Sequence, residues 1–419
     1  MSKIIIRGGK GKRLHGCVDI AGAKNAVLPI MAASLLNSSV TVINNCPDIE
    51  DVRQMAGILK YLGCIVKRKD SSIIIDTKNA VNATIPGSIS GKLRASSILI
   101  GPLMARFSSV KLAPPGGCDI GERPMDIHLN ALKRLGAFWS LGNGYIELSG
   151  RLKSNEVDLR FPSVGATENV IMASVFLVGT TIIYNAAKEP DVVQLCRYLN
   201  EAGACIKGAG TDTIVINGVD KLHLLQYNID VDRIVAGTYI GALAVCGGSI
   251  RLNNCHFKDL KGFIDVYCGI GVRCVESEAG ICVFMNKRPD SINYIKTQPY
   301  PGFPTDMQSI IMSVLSIADG KCIIQEDIYE NRYKTAYELI KMGADIRIKE
   351  KCAYIKGVKG LIGKNVIASD LRGGAALIIA GLNAMGITVI EKAEYISRGY
   401  DDVCGNLRKL GADIIWQDN

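Results

Sequence analysis

An amphipathic helix that runs into a glycine and then into a β-rich stretch recurs six times along this chain, as YLGCIV, RLGAFW, EAGACI, GIGVRC, KMGADI and KLGADI. The glycines are Gly63, Gly136, Gly203, Gly271, Gly343 and Gly411, at intervals of 73, 67, 68, 72 and 68 residues. Glycine suits the left-handed position that ends many helices, because it has no Cβ to clash there. Each unit also holds a second, Ala-rich helix: KNAVLPIMAASLL, RASSILIGPLMARF, ATENVIMASVFLV, RIVAGTYIGALAV, TDMQSIIMSVLSIA and RGGAALIIAGLNAM. These are apolar nearly all round, as helices buried on every side are. Their amphipathic partners, such as EDVRQMAGILKYLG with Met55, Ile58, Leu59 and Leu62 on one face, are suited to cover them. Units of about 70 residues are too long for an ordinary solenoid repeat. They predict an α/β chain of two domains with three units each, helices inside and sheets outside.

A length of 419 residues likewise calls for more than one core, and 48% hydrophobic with 21% charged residues fits a globular protein. The opening MSKIIIRGGKGKRLHG has no apolar run of signal-peptide length, and stretches such as IGALAVCGG are too short and Gly-broken to span a bilayer. The 14 cysteines are scattered without a CxxC pair, and Cys64, Cys196, Cys205, Cys246 and Cys404 fall in apolar patterns. Reduced core thiols and a cytoplasmic location are therefore expected. The four histidines lack metal-ligand spacing, so no metal is expected. A net charge of +9 asks for an anionic partner. Nucleic acid and a small phosphorylated ligand both satisfy it, although no basic run is interleaved with aromatics.

Charge gathers where the buried helices begin. Lys24-Asn25, Arg94, Ser163-Val164-Gly165, Arg233, Asp306 and Arg372 sit at or just before their first turns. A helix start offers unpaired N–H groups and partial positive charge, so an added Lys or Arg is unfavourable there unless an anion joins it. Four basic openings out of six point to a phosphate or carboxylate site. Arg123, Arg332 and Arg398 sit at the mouths of the amphipathic helices, with the planar fork that grips such anions. Asp306 is the one acid at a helix mouth, either as an ordinary cap or facing the arginines to orient a hydroxyl. PPGGCDIGERP (114–124) is a loop by its Pro and Gly pairs. It carries Cys118 five residues before Arg123, either a reactive thiol or a surface turn with an incidental one.

Several motifs in order resemble the UDP-N-acetylglucosamine enolpyruvyl transferases, within the EPSP synthase family, from end to end. They are GAKNAVLP (22–29), LRASSILIGPLMARF (93–107), PGGCDIGERPMDIH (115–128), PSVGATEN (162–169), GTTIIYNAAKEPDVV (179–193), FPTDMQ (303–308), ENR (330–332), DLRGGAAL (370–377) and RGY (398–400). The resemblance implies a two-domain inside-out α/β barrel, with 1–21 plus 231–419 as one domain and 22–230 as the other, ligands in the cleft and the Cys118 loop closing over it. It implies transfer of the enolpyruvyl group of phosphoenolpyruvate to the 3′-hydroxyl of UDP-N-acetylglucosamine with release of phosphate, the first committed step of peptidoglycan synthesis. The implied partners are those two small molecules, without nucleic acid, membrane, metal or organic cofactor.

By the same resemblance Lys24, Arg123 and Arg398 hold the phosphate of phosphoenolpyruvate, with Asn25 beside it, and Arg332 and Arg372 hold its carboxylate. Asp306 orients or deprotonates the attacking hydroxyl. Cys118 acts as general acid toward C3 or aids product release, can form a covalent adduct with phosphoenolpyruvate, and is the thiol alkylated by fosfomycin. The sugar nucleotide falls to Asn25, Arg94, Arg123, Pro124, Met125, Asp126, Ile127, Phe161, Pro162, Ser163, Val164, Asp306 and Ile328. The chain departs from the pattern at Val235, where Glu is usual, at Ser397, where Asp is usual, and at Lys334-Thr335, where Met-His is common. Phe161 stands where some members have Lys. Two rivals share the fold: a UDP-sugar-binding paralogue with weak or no turnover, and the sister enzyme acting on shikimate 3-phosphate. The latter's GSKS and GNAGTAMR signatures are replaced here by GAKNA and KLRASS.

Overall fold

The computed structural model describes residues 2–9, 11–91, 93–116, 125–223 and 225–418. Cys118, Arg123 and Pro124 lie outside them. The described residues of 1–21 and 231–419 form one compact unit, and those of 22–116 and 125–230 form another.

In the unit 22–230 three helices are nearly wholly buried: α1 (Lys24–Ala33), α3 (Ile100–Phe107) and α5 (Val164–Ser174). Three amphipathic helices cover them: α2 (Glu50–Tyr61), α4 (Asp126–Arg134) and α6 (Pro190–Glu201). Met55, Ile58 and Leu59 of α2 and Leu62 at its end are all fully buried, as their spacing demands. Three sheets enclose the helices. Ser72–Asp76 pairs antiparallel with Val40–Asn44 and Ile65–Lys69, and Leu225–Asn228 runs parallel to Val40–Asn44. The unit's last strand thus returns to its first sheet. A second sheet is built likewise, with Glu156–Asp158 parallel to Thr180–Tyr184. In the third, Ser109–Leu112, Tyr145–Ser149 and Phe138–Gly142 have, among the described residues, only the single bridge Ile85–Leu112 in the parallel position.

The other unit repeats the plan with α7 (Arg233–Cys246), α9 (Gln308–Leu315) and α11 (Leu371–Asn383) inside. Its covering helices are α8 (Ile264–Gly269), α10 (Lys334–Lys341) and α12 (Val403–Lys409). Leu14–Asp19 runs parallel to Gly248–Asn253, and Lys3–Gly8 lies between Gly386–Glu391 and Ile414–Gln417. The first twenty residues therefore complete two sheets of the second half of the chain.

All six glycines stand at positive φ, from +87° to +105°. In each turn the glycine N–H bonds to the carbonyl of the second residue from the helix end and the following N–H to that of the third, as in Gly271 to Cys268 (3.0 Å) and Val272 to Tyr267 (3.0 Å). This is the double-bonded glycine stop expected for a helix entering a strand. Two inner helices begin differently from the expected α-helix. Arg94–Leu99 is a 3₁₀ segment that leads into α3, and Thr305–Met307 leads into α9. Pro102, in the first turn of α3, has no N–H to bond the carbonyl of Ile98, which limits the α ladder there. Of the cysteines expected in the core, Cys64, Cys196 and Cys404 are buried, whereas Cys205 and Cys246 are only half-buried. Among the described residues, no helix is long and apolar enough to cross a membrane.

Candidate active site

In the unit containing α7 to α12, two buried guanidiniums converge on one carboxylate. Arg332, just before α10, donates from Nη2 to Asp306 Oδ1 at 2.8 Å, and Arg372, in the first turn of α11, donates from Nη2 and Nε to Oδ2 at 3.1 and 3.2 Å. Both arginine side chains are 2% exposed, while Asp306 keeps 29%. Burial alone would push each guanidinium toward losing its proton, but Asp306 and the surrounding acids outweigh it and hold both above the usual arginine range. Asp306 does not cap its helix: the cap residue is Pro304, and the Asp306 carboxylate is turned to the arginines. Arg372 Nη1 is buried without a hydrogen-bond partner among the described residues.

The surroundings fix these groups. Asp370 caps α11 through the N–H groups of Arg372 and Gly373, each at 3.0 Å, so the helix start that carries Arg372 is pinned. Arg372 lies over the ring of Tyr400, whose hydroxyl meets Thr238 Oγ1 at 2.7 Å. Arg332 lies over Tyr329, and Arg233 over Tyr300. These ring faces favour the cation where water is excluded. Glu326 ties the loop behind Arg332, accepting from Thr305 Oγ1, Thr297 Oγ1 and the N–H groups of Ile328 and Tyr329. Arg398 ends the 3₁₀ helix Ala393–Arg398 and is half-buried. Val235 packs against the core, and Asp232 caps α7 beneath it.

In the other unit, Lys24 opens α1 and pairs with Asp51 of α2 at 2.7 Å, with the carboxylate 3% exposed. Asn25 is exposed. Arg94 reaches the carbonyl of Pro115 at 3.5 Å, which sets it under the start of the 114–124 stretch. Ser163 caps α5. Gly165 is needed beside it, since a Cβ there would lie 2.8 Å from His128 Cε1. His128 is bonded to Asn169 at 2.9 Å, and burial, aided by Arg94, lowers its pKa to about 4. Asp126 forms an ion pair with Arg160, and Met125, Ile127, Pro162 and Val164 are half-buried around them, with Phe161 41% exposed. Within α5, Glu168 is 2% exposed and its carboxyl is pushed well above the usual range by burial, then by Asp191 and Glu189.

The EPSP synthase (3-phosphoshikimate 1-carboxyvinyltransferase) family model matches residues 9–407. The chain belongs to the EPSP synthase family. It is similar to two proteins named UDP-N-acetylglucosamine 1-carboxyvinyltransferase 2, from Caldanaerobacter subterraneus subsp. tengcongensis and Clostridium tetani, at 47% and 44% identity, with 99% of each chain covered. In structure it is similar to the enolpyruvyl transferase NikO from Streptomyces tendae, with a TM-score of 0.89 at 25% identity over 99% of both chains. An EPSP synthase from Acinetobacter baumannii shares the fold, with a TM-score of 0.77 at 18% identity. The mixed α/β, two-unit architecture is thus the one this family uses.

Within this EPSP synthase family chain, the structure brings Asp306, Arg332 and Arg372 together. It also shows what the sequence patterns did not reveal. Asp51, the partner of Lys24, stands in the first turn of α2, where an acid is an ordinary choice and carries no further signal. Tyr300, Tyr329 and Tyr400 carried no signal apart from proximity in sequence to an arginine in the latter two. Glu168 was hidden inside an otherwise uncharged helix, and its oddity there was the available clue.

Proposed function

We propose that this chain transfers the enolpyruvyl group of phosphoenolpyruvate to the 3′-hydroxyl of UDP-N-acetylglucosamine, releasing phosphate and committing the sugar nucleotide to peptidoglycan synthesis. The observation that carries this reading is the 47% identity, across 99% of both chains, to a relative bearing that activity in its name. The arrangement of charge supports it.

In this reading Arg332 and Arg372 take the donor's carboxylate, and Lys24, Arg123 and Arg398 its phosphate. Arg372 Nη1, buried without a partner among the described residues, is a donor in need of an acceptor. The hydroxyl oxygen adds to C2 of the donor as C3 takes a proton, which gives a tetrahedral intermediate. Loss of a proton from C3 then expels phosphate. Both oxygens of Asp306 accept from guanidiniums, which fixes the carboxylate to orient the hydroxyl or to receive its proton as the C–O bond forms. Fixed positive charge at both ends of the donor stabilises the negative charge that shifts toward phosphate. Cys118 serves the proton transfer at C3. The sugar nucleotide is held by Asn25, Arg94, residues 123–127, Phe161–Val164 and Ile328. The reaction needs no organic cofactor or metal. A binding-only role is not favoured, because Val235 is accommodated in the core and none of the residues assigned to chemistry is lost.

Mass spectrometry of the sugar nucleotide after incubation with phosphoenolpyruvate tests the reading. A new enolpyruvyl ether is expected, and an unchanged sugar nucleotide under conditions where both ligands bind would overturn it. Cys118→Asp is expected to keep turnover and resist fosfomycin. Sensitivity equal to the parent's would refute the role given to Cys118.

A further inference from the structure

The six glycine turns share one geometry, and only the turn at Gly271 carries a cysteine three residues before and three after the glycine, Cys268 and Cys274. The turn at Gly203 shows how close those two positions are. There Asn200 donates to the carbonyl of Ile206 and accepts from its N–H, both at 2.8 Å, so a short side chain spans the gap. At Gly271 the two thiols lie near enough for each to influence the other's ionisation. Cys268 is exposed at the end of α8, and Cys274 is half-buried on Arg273–Ser277, the edge strand of its sheet.

We propose that Cys268 and Cys274 form an intramolecular disulfide when the chain meets a small disulfide oxidant such as oxidised glutathione, making this turn a thiol-modification site. The Cys268 thiol loses its proton to solvent and attacks one sulfur of the oxidant, releasing one glutathione. The Cys274 thiol then loses its proton, attacks the Cys268 sulfur of the mixed disulfide and releases the second. Two thiols and one disulfide become one disulfide and two thiols, so electrons balance. Burial foremost raises both thiols above their ordinary range, with Asp265 adding to it at Cys268 and Cys268 itself adding to it at Cys274, which reaches about 12. Thiolate is therefore scarce and exchange slow, while poorly acidic thiols leave slowly once linked. The pair behaves as a slow, persistent cross-link rather than a fast catalytic dithiol.

The test is to expose the folded chain to oxidised glutathione, alkylate the remaining thiols and digest with trypsin without reductant. Trypsin cleaves after Arg273, between the two cysteines, so the link appears as a joined peptide pair that reductant separates. That pair is expected in the parent, and Cys268→Ser or Cys274→Ser should each abolish it. Three outcomes in the parent would overturn the proposal: Cys268 left as a stable glutathione adduct, a link from Cys274 to the buried Cys255, or both thiols alkylated after exposed Cys17 has reacted.

Discussion

Replacing Asp306 removes the shared counter-charge of two arginines that have almost no exposure to water. A charge pair about 4 Å apart is worth about 4 kcal/mol at an effective dielectric of 20, and Asp306 makes two ion pairs closer than that, at 2.8 and 3.1 Å. Much of this offsets the desolvation of the guanidiniums, so the net value of the pair is smaller. Removing one partner is different, because the charge left behind is buried and uncompensated, which costs about 3–5 kcal/mol. Asp306→Ala is expected near the upper end of that range. Asp306→Asn, which keeps one acceptor oxygen, should lose about 3 kcal/mol. Urea unfolding reads this cleanly in a Trp139→Phe background, where Trp416 alone reports the unit that holds Asp306. Inorganic phosphate should restore more stability to Asp306→Ala than to the parent, since an anion can settle against the freed guanidiniums. A loss under about 1 kcal/mol for Asp306→Ala, with no phosphate rescue, would refute the claim that the pair is buried and mutually dependent.

Other consequences follow from single contacts. His128 is neutral in the fold, with its pKa depressed to about 4, so its unfolded form takes up a proton first as pH falls. Its contribution is intact above about pH 6.5 and lost progressively down to about pH 4, about 3 kcal/mol in all; the fall should be shallower in His128→Gln, and equal slopes would contradict the assignment. Gly165→Ala drives a Cβ to 2.8 Å from the His128 ring and is expected to cost about 1–3 kcal/mol with weakened sugar-nucleotide binding; unchanged stability and binding would show that the ring yields freely. Gly343 has φ +95° and open space around it, so Gly343→Ala should cost about 1 kcal/mol from backbone conformation alone, and a neutral result would remove the basis for reading these glycines as obligatory stops.

The helix-and-glycine scheme was legible because it is local: an all-apolar helix and an amphipathic one differ in sequence period, and a left-handed stop selects glycine. The parallel pairing of Leu225–Asn228 with Val40–Asn44 was not, since strand partners far apart in sequence leave no local mark. The same holds for Lys24 and Asp51. Asp306 was ambiguous for a chemical reason: an acid at a helix start serves equally as a cap or as a partner for distant arginines, and only the fold brings Arg332 and Arg372 to it. Conversely, the apolar run from Arg94 predicts an α-helix from its start, whereas six residues of 3₁₀ helix precede α3, where Pro102 has no N–H to give.

The most direct measurement is phosphate release from phosphoenolpyruvate with UDP-N-acetylglucosamine as acceptor, beside an identical reaction with shikimate 3-phosphate. Release with the sugar nucleotide alone is predicted. Release with shikimate 3-phosphate, or with neither acceptor while the sugar nucleotide still binds, would contradict the proposed activity.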